Sequence, residues 1–195
     1  METRNDLTIG GSHAVCQEIK PMSNLTFRLM QGVMYVWDIF LRHPRKDLER
    51  MLLKEGMTVV DYACGQGDYT IPLAEIVGPK SRVYAVDIQP LAVEVIRKKA
   101  SRKSLHQVTA VLVDSYHTSI PDATADVVLF IDALHYITDP DALFCEIHRL
   151  LKPGGVLCMD PGHLKAGEGR AIVERTGLFN LVTSDGRNMQ LTRRR

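Results

Sequence analysis

The residues best placed for chemistry lie at the ends of short apolar runs. Asp61-Tyr62-Ala63-Cys64-Gly65-Gln66-Gly67 closes the run that begins at Thr58. Its two glycines let the backbone turn sharply and let a ligand approach amides that a Cβ would block. Asp87 ends the next run, twenty residues beyond Gly67, followed by Ile88 and Gln89, and Asp114-Ser115 ends a third. One carboxylate at a strand end is usually just solvated. Three in succession beside a Gly-rich turn imply a shared ligand. Asp87 can accept two ribose hydroxyls, Ile88 can pack on an adenine, and an acidic or amide group near 114 can accept the exocyclic amine.

Two cofactors compete for such a loop. A nicotinamide dinucleotide wants G-x-G-x-x-G. Counted from Gly65, the third glycine position is Thr70; counted from Ala63, the first glycine is missing and position 68 is Asp. Neither register fits. The sign of Asp61 separates the two further. A carboxylate in this loop repels a pyrophosphate but suits the cationic amino-acid end of S-adenosylmethionine. Two unit charges roughly 4 Å apart at an effective dielectric near 20 interact by about 4 kcal/mol, so the sign decides.

These groups need strand ends and helix starts to hold them. Short apolar runs alternate with helical patterns from Met57 onward. Strands are expected at Thr58–Tyr62, Arg82–Asp87, Val108–Val113, Ala125–Ile131 and Gly155–Met159. Helices are expected up to about Val77, from Pro90 to Ser101, from Asp141 to Leu151 (ended by Pro153-Gly154-Gly155) and near Leu164–Thr176. Phe179–Thr183 and Met189–Thr192 flank Ser184-Asp185-Gly186, a turn signal for a closing hairpin. The alternation implies an α/β fold, a doubly wound and mostly parallel sheet. Ahead of it, apolar residues recur at helical spacing from Leu25 to Leu41 and a second helix is expected from Arg45 to Leu53, whereas residues 1 to about 20 lack periodicity and read as a mobile arm. The expected organisation is an arm and helical cap over 1–54 and a ligand-binding domain over 55–195.

Composition narrows the setting. With 24 basic and 23 acidic residues the formal charge is +1, which gives no reason to expect nucleic acid as an obligatory partner. Four scattered cysteines form no C-x-x-C pair, so neither a zinc framework nor a disulfide scaffold is written here, and a cytoplasmic setting is expected. Cys145 and Cys158 read as core residues. No signal peptide and no membrane-length apolar run is evident.

Taken in order, V-V-D-Y-A-C-G-Q-G, A-V-D-I, V-D-S, D-V-V-L-F-I-D-A-L-H-Y and L-L-K-P-G-G resemble the motifs of class I S-adenosylmethionine-dependent methyltransferases. They are similar to the small-molecule branch that includes ubiquinone-biosynthesis and arsenite methyltransferase-like proteins. The likeness covers about Glu55 to Met159, with Ala63 where the family usually has glycine. It implies a seven-stranded Rossmann-like sheet with one strand inserted antiparallel, S-adenosylmethionine as cofactor and S-adenosylhomocysteine as product. It also implies a cofactor loop that includes Ala63 and Cys64.

In this family the end of strand four faces the methyl group, which makes Asp132 a cofactor contact and both Asp132 and His135 candidate bases. Asp132, Asp160 and His163 follow strands four and five, where a divalent metal could be held. The rest of the catechol-type pattern is not visible, so no metal is expected. No N-P-P-Y or D-P-P-Y follows strand four and no Pro-Cys pair is present, which argues against amino- and cytosine-methylating enzymes of nucleic acid. The expected partner is a small-molecule methyl acceptor, with no membrane and no nucleic acid; a homo-oligomer is compatible with the sequence. The alternatives are an RNA or protein methyltransferase that docks through Arg97-Lys98-Lys99, and a non-catalytic cofactor-binding partner.

Overall fold

Strand β4 (Ala125–Ile131) explains the architecture, because both of its faces are apolar. Val128 and Phe130 point to one side and Val127 and Leu129 to the other, all at most 3% exposed; such a strand must be covered on both faces. The computed structural model, which describes residues 20–29, 32, 44–165 and 167–195, shows that cover. β1 (Thr58–Tyr62), β2 (Arg82–Asp87) and β3 (Val108–Leu112) pair in parallel on one side of β4, and β5 (Leu151–Asp160) pairs in parallel on the other. β7 (Met189–Arg193) lies between β5 and β6 (Phe179–Ser184), antiparallel to both, so the seven strands run β3-β2-β1-β4-β5-β7-β6.

The helices divide between the two faces. Leu48 of α1 (Pro44–Glu49) and Leu73, Ala74 and Val77 of α2 (Thr70–Val77) pack on Val59, Val127 and Leu129. Beside them α3 (Pro90–Arg102) buries Val93 and Ile96 against β2 and β3. On the opposite face, Leu143, Phe144, Ile147 and Leu150 of α4 (Pro140–Leu150) and Val173 of α5 (Glu168–Arg175) meet Val60, Val128 and Phe130. Each large side chain buried in this way contributes about 1.5–3 kcal/mol. α4 starts where Asp139 caps the amide of Ala142 at 3.0 Å, with Pro140 supplying a helical φ at its first turn.

The expected fold, an α/β doubly wound, mostly parallel seven-stranded sheet, is what forms. Five local expectations are corrected. α4 stops at Leu150, and β5 runs through Pro153-Gly154-Gly155 with a register shift opposite Ala125–Val127, so that tripeptide sits within a strand instead of ending a helix. α5 begins at Glu168, later than expected, and α1 ends at Glu49. Cys145 is exposed on α4, while Cys158 is buried as expected. Leu25 and Leu29, offered by their spacing as a packing stripe, are 70% and 65% exposed, and Phe27 is the buried residue of the helical segment 24–29. The expected arm over 1–19, and the continuation of that helix from 33 to 41, lie outside the described residues.

Candidate active site

Order reverses between β1 and β4, whose neighbours lead away in opposite directions, and this is where open α/β sheets bind ligands at the carboxyl ends of their strands. Asp61 stands there, 3% exposed, with Thr70 Oγ1 of α2 donating to its Oδ2 at 2.5 Å. Burial pushes its carboxyl from 3.8 up to about 7; the Thr70 hydrogen bond opposes this, and the charges of Asp87 and Asp68 add to it. The chain then turns through Ala63 at φ 60°, left-handed backbone in which an L side chain is uncommon. That conformation accounts for the glycine seen at this place in the resembling family. Gly67 combines left-handed backbone, φ 88°, with close packing: a Cβ there would meet Ile96 Cγ1 at 3.0 Å, so α3 would have to give way slightly.

Asp87 fastens the loop from the neighbouring strand. Its Oδ2 accepts from the Gly65 amide and its Oδ1 from the Gln89 amide, both at 2.8 Å. Burial raises its pKa and these amide bonds partly offset the shift. Lys99 Nζ of α3 adds a bond to the Gln66 carbonyl at 2.8 Å and lies 3.7 Å from Asp68.

Above the loop lies a cavity of about 310 Å³, within the range of small-ligand sites. Asp61, Ala63, Cys64, Gly65, Asp87 and Ile88 line it, and so do Gln89, Ser115, Asp132 and His135. Two expected residues do not. Asp114 is exposed and off the wall, because side chains alternate beyond β3 and Val113 and Ser115 take the inward positions. Gly67 is buried against Ile96 behind the loop. Gln89 is 3% exposed; its Nε2 donates to the Met22 carbonyl at 2.8 Å, while its Oε1 is buried with no hydrogen-bond partner among the described residues. Met22 and Phe27 complete this wall from far upstream, a contribution that no local motif announces.

The far end of the cavity is built by the segments after β4 and β5. Asp132 has φ 56° and its amide donates to the Asp160 carbonyl at 3.0 Å. His135 follows in a 3₁₀ turn, Leu134–Tyr136. Its pKa is lowered, chiefly by burial, with the Asp132 charge opposing, so the imidazole is neutral near pH 7 and able to accept a proton. The trio expected here, Asp132, Asp160 and His163, does not assemble. Asp160 accepts from the Gly162 amide and from Arg187 Nε, each at 2.7 Å, and His135 takes its place beside Asp132 and His163. A neutral imidazole and a carboxylate at one end of a cavity, with two further carboxylates under the other, can bind a cationic nucleoside and remove a proton from a second molecule.

Residues 53–178 match the methyltransferase domain family. The chain is 34% identical over 125 residues to the demethylmenaquinone methyltransferase of Geobacillus stearothermophilus, covering 62% of this chain and 53% of that protein. It is 28% identical over 149 residues to that of Listeria monocytogenes serotype 4a, covering 76% and 61%. The chain thus spans about half the length of the first of these relatives. Among solved structures, a SAM-dependent methyltransferase from Aquifex aeolicus superposes with a TM-score of 0.75 at 24% identity over 86% of this chain and 97% of that one. A TehB-like SAM-dependent methyltransferase from Corynebacterium glutamicum gives 0.67 at 13% identity, over 89% and 100%. The structures establish the fold and the matched domain establishes kinship: the chain belongs to the methyltransferase domain family.

Proposed function

We propose that this protein binds S-adenosylmethionine in the described cavity and transfers its methyl group to a small-molecule acceptor, releasing S-adenosylhomocysteine. The observation that carries this reading is the set of polar groups under one cavity: buried Asp61, Asp87 braced between two amides, and the Oε1 of Gln89, which has no partner among the described residues. Those groups fit the cofactor part by part. Asp61 suits an ammonium group, Asp87 keeps lone pairs for ribose hydroxyls, Gln89 and Ser115 present polar groups to the base, and Ile88 offers an apolar surface. When bound, the cofactor supplies a methyl group activated by its sulfonium.

The protein's own part is alignment and proton removal. Alignment of two reactants is worth roughly 7–11 kcal/mol. His135, neutral and on the cavity wall, accepts the acceptor's proton, and Asp132 favours the imidazolium that results. The demethylmenaquinone methyltransferases support an organic acceptor with an apolar body, for which Met22, Phe27, Tyr136 and Ile137 provide apolar wall. Against a nucleic-acid acceptor, the basic run of α3 is largely engaged within the chain: Lys98 with Glu94, Lys99 with Gln66 and Lys103 with Glu75.

The test has two arms. S-adenosylmethionine and S-adenosylhomocysteine should raise the melting temperature, with about 2.7 kcal/mol of stabilisation at a hundredfold excess over Kd, and NAD should not. Label from a methyl-labelled cofactor should then appear in the small-molecule fraction of an extract. Equal stabilisation by NAD, or label confined to RNA or protein, overturns the reading.

A further inference from the structure

Two imidazoles and a carboxylate from two separate loops meet at the strand-four end of the cavity. Asp132 follows β4, His135 stands in the 3₁₀ turn beyond it, and His163 follows β5. One ligand-type atom from each lies within 4.8 Å of the other two, and Asp132 Oδ1 is 3.8 Å from His163 Nε2. Atoms bound to one tetrahedral ion at about 2.0–2.2 Å stand ~3.3–3.6 Å apart, so closing the set takes at most roughly 1.5 Å. His163, 76% exposed at its side chain, is free to make that adjustment.

Three further observations point to a ligand. His135 Nδ1 is buried without a hydrogen bond among the described residues, whereas buried ring nitrogens are nearly always partnered. His135 Nδ1 and Asp132 Oδ1 also converge: a Cβ at Gly162 would stand 2.6 Å from each, so any side chain there would crowd both atoms. Asp132 is held in the left-handed region at φ 56°, a conformation that clusters at functional sites when an observed outlier has no local explanation. The nearby Arg187 guanidinium is paired with Asp160, and so adds little net positive charge at this end of the cavity.

We propose that Asp132, His135 and His163 form a binding site for one divalent transition-metal ion of the zinc class. Imidazole with carboxylate selects such ions over magnesium and calcium, which prefer all-oxygen sites. Three protein ligands leave positions open, and because all three residues line the cavity those positions face into it. If the acceptor binds there, as the methyl-transfer reading holds, an oxygen of the acceptor takes an open position and loses its proton more easily, to solvent; with the ion bound, His135 is a ligand and the ion replaces it as the group that promotes proton loss. The ion site itself does not depend on that reading.

The experiment uses the untagged full chain, stripped with chelator and titrated with Co²⁺ followed by its visible spectrum, and with Zn²⁺ followed by calorimetry. One ion per chain is expected. His163→Ala, which alters an exposed side chain, should weaken the ion by ~100-fold or more while leaving S-adenosylhomocysteine affinity unchanged; Asp132→Asn should weaken the ion likewise. Absence of saturable binding, or binding equally tight in both variants and so located on other histidines, overturns the site. S-adenosylhomocysteine binding is measured separately in the same samples, so a failure of the cofactor reading is seen independently of a failure of the ion site.

Discussion

Asp61 is the residue whose chemistry depends most on what binds beside it. Its carboxyl is pushed up to about 7 by burial, so near neutrality the protein holds a mixture of protonated and ionised forms. A folded-state pKa above the unfolded one means the native chain keeps a proton that the unfolded chain releases. Stability attributable to Asp61 is therefore complete below about pH 4 and declines as pH rises to about 7. A cationic ligand reverses the preference, because it favours the carboxylate. Affinity for S-adenosylmethionine should rise with pH from 6 to about 8 and then level off, with a proton released on binding at pH 6. Calorimetry in buffers of different ionisation heat measures both, and Asp61→Asn should abolish the dependence. A flat profile for the unsubstituted protein would mean that Asp61 does not face the cation. That Asp61, Asp87 and Gln89 line the cavity is legible from sequence, because each sits at or just beyond a strand end. Asp114 falls off the wall because one position of parity separates it from Val113 and Ser115, and parity is fixed by the backbone beyond the strand, not by residue type.

At the level of elements, α4 does more than cover the sheet. Its Glu146, 5% exposed, accepts from the Thr118 amide at 2.9 Å and from Arg149 Nη2 and Nε at 2.6 and 2.7 Å. Arg149 in turn reaches the Ile120 carbonyl and Asp122. The segment after β3 is thereby tied to α4, and it carries Tyr116, whose hydroxyl accepts from the amides of Thr138 and Asp139 and whose carbonyl accepts from the Tyr62 hydroxyl. Burial raises the pKa of Glu146, but the Arg149 and Thr118 hydrogen bonds outweigh it and hold the group below the usual range. This contribution is present above the unfolded pKa and is lost as pH falls through the folded one. Glu146→Ala leaves the Thr118 amide unsatisfied and Arg149 held only by Asp122 and the carbonyls of Thr118 and Ile120, and should cost about 1–3 kcal/mol, read as a lower urea midpoint with unchanged slope; a shift under ~0.5 kcal/mol would show that water replaces the carboxylate. Periodicity foretold α4 but not its reach, since nothing local in the sequence joins Glu146 to Thr118. The Pro153-Gly154-Gly155 stretch misled for a comparable reason. A Cβ at Gly155 would stand 3.1 Å from the Ala125 carbonyl and 3.0 Å from Leu151 Cδ2, so the glycine serves close strand packing at an irregular register.

Across the whole molecule, the cavity joins parts of the chain that are far apart in sequence. The carboxyl ends of β1, β2 and β4 supply its floor, the segments after β3 and β5 add Ser115 and His163, and Met22 and Phe27 wall it from more than thirty residues before β1 begins. Phe27 is 2% exposed although its helical neighbours Leu25 and Leu29 point to solvent, so its burial comes from the domain and not from its own segment. Among the described residues, a hydrogen bond connects the two parts: Gln89, at the entry to α3, donates to the Met22 carbonyl while its Oε1 has no partner there. A ligand that engages that oxygen fixes the Gln89 amide, and with it the bond to Met22. Cofactor binding should therefore slow backbone hydrogen exchange in residues 20–29, although that segment places only Met22 and Phe27, among the described residues, on the cavity wall. Phe27→Ala removes apolar wall but leaves the Gln89 bond, so it should weaken S-adenosylhomocysteine binding by roughly 1–3 kcal/mol and keep part of the protection. Gln89→Ala should remove the protection even at saturating ligand. Exchange in residues 20–29 that is identical with and without S-adenosylhomocysteine would show that the segment packs on the domain regardless of ligand, and that Gln89 does not transmit binding.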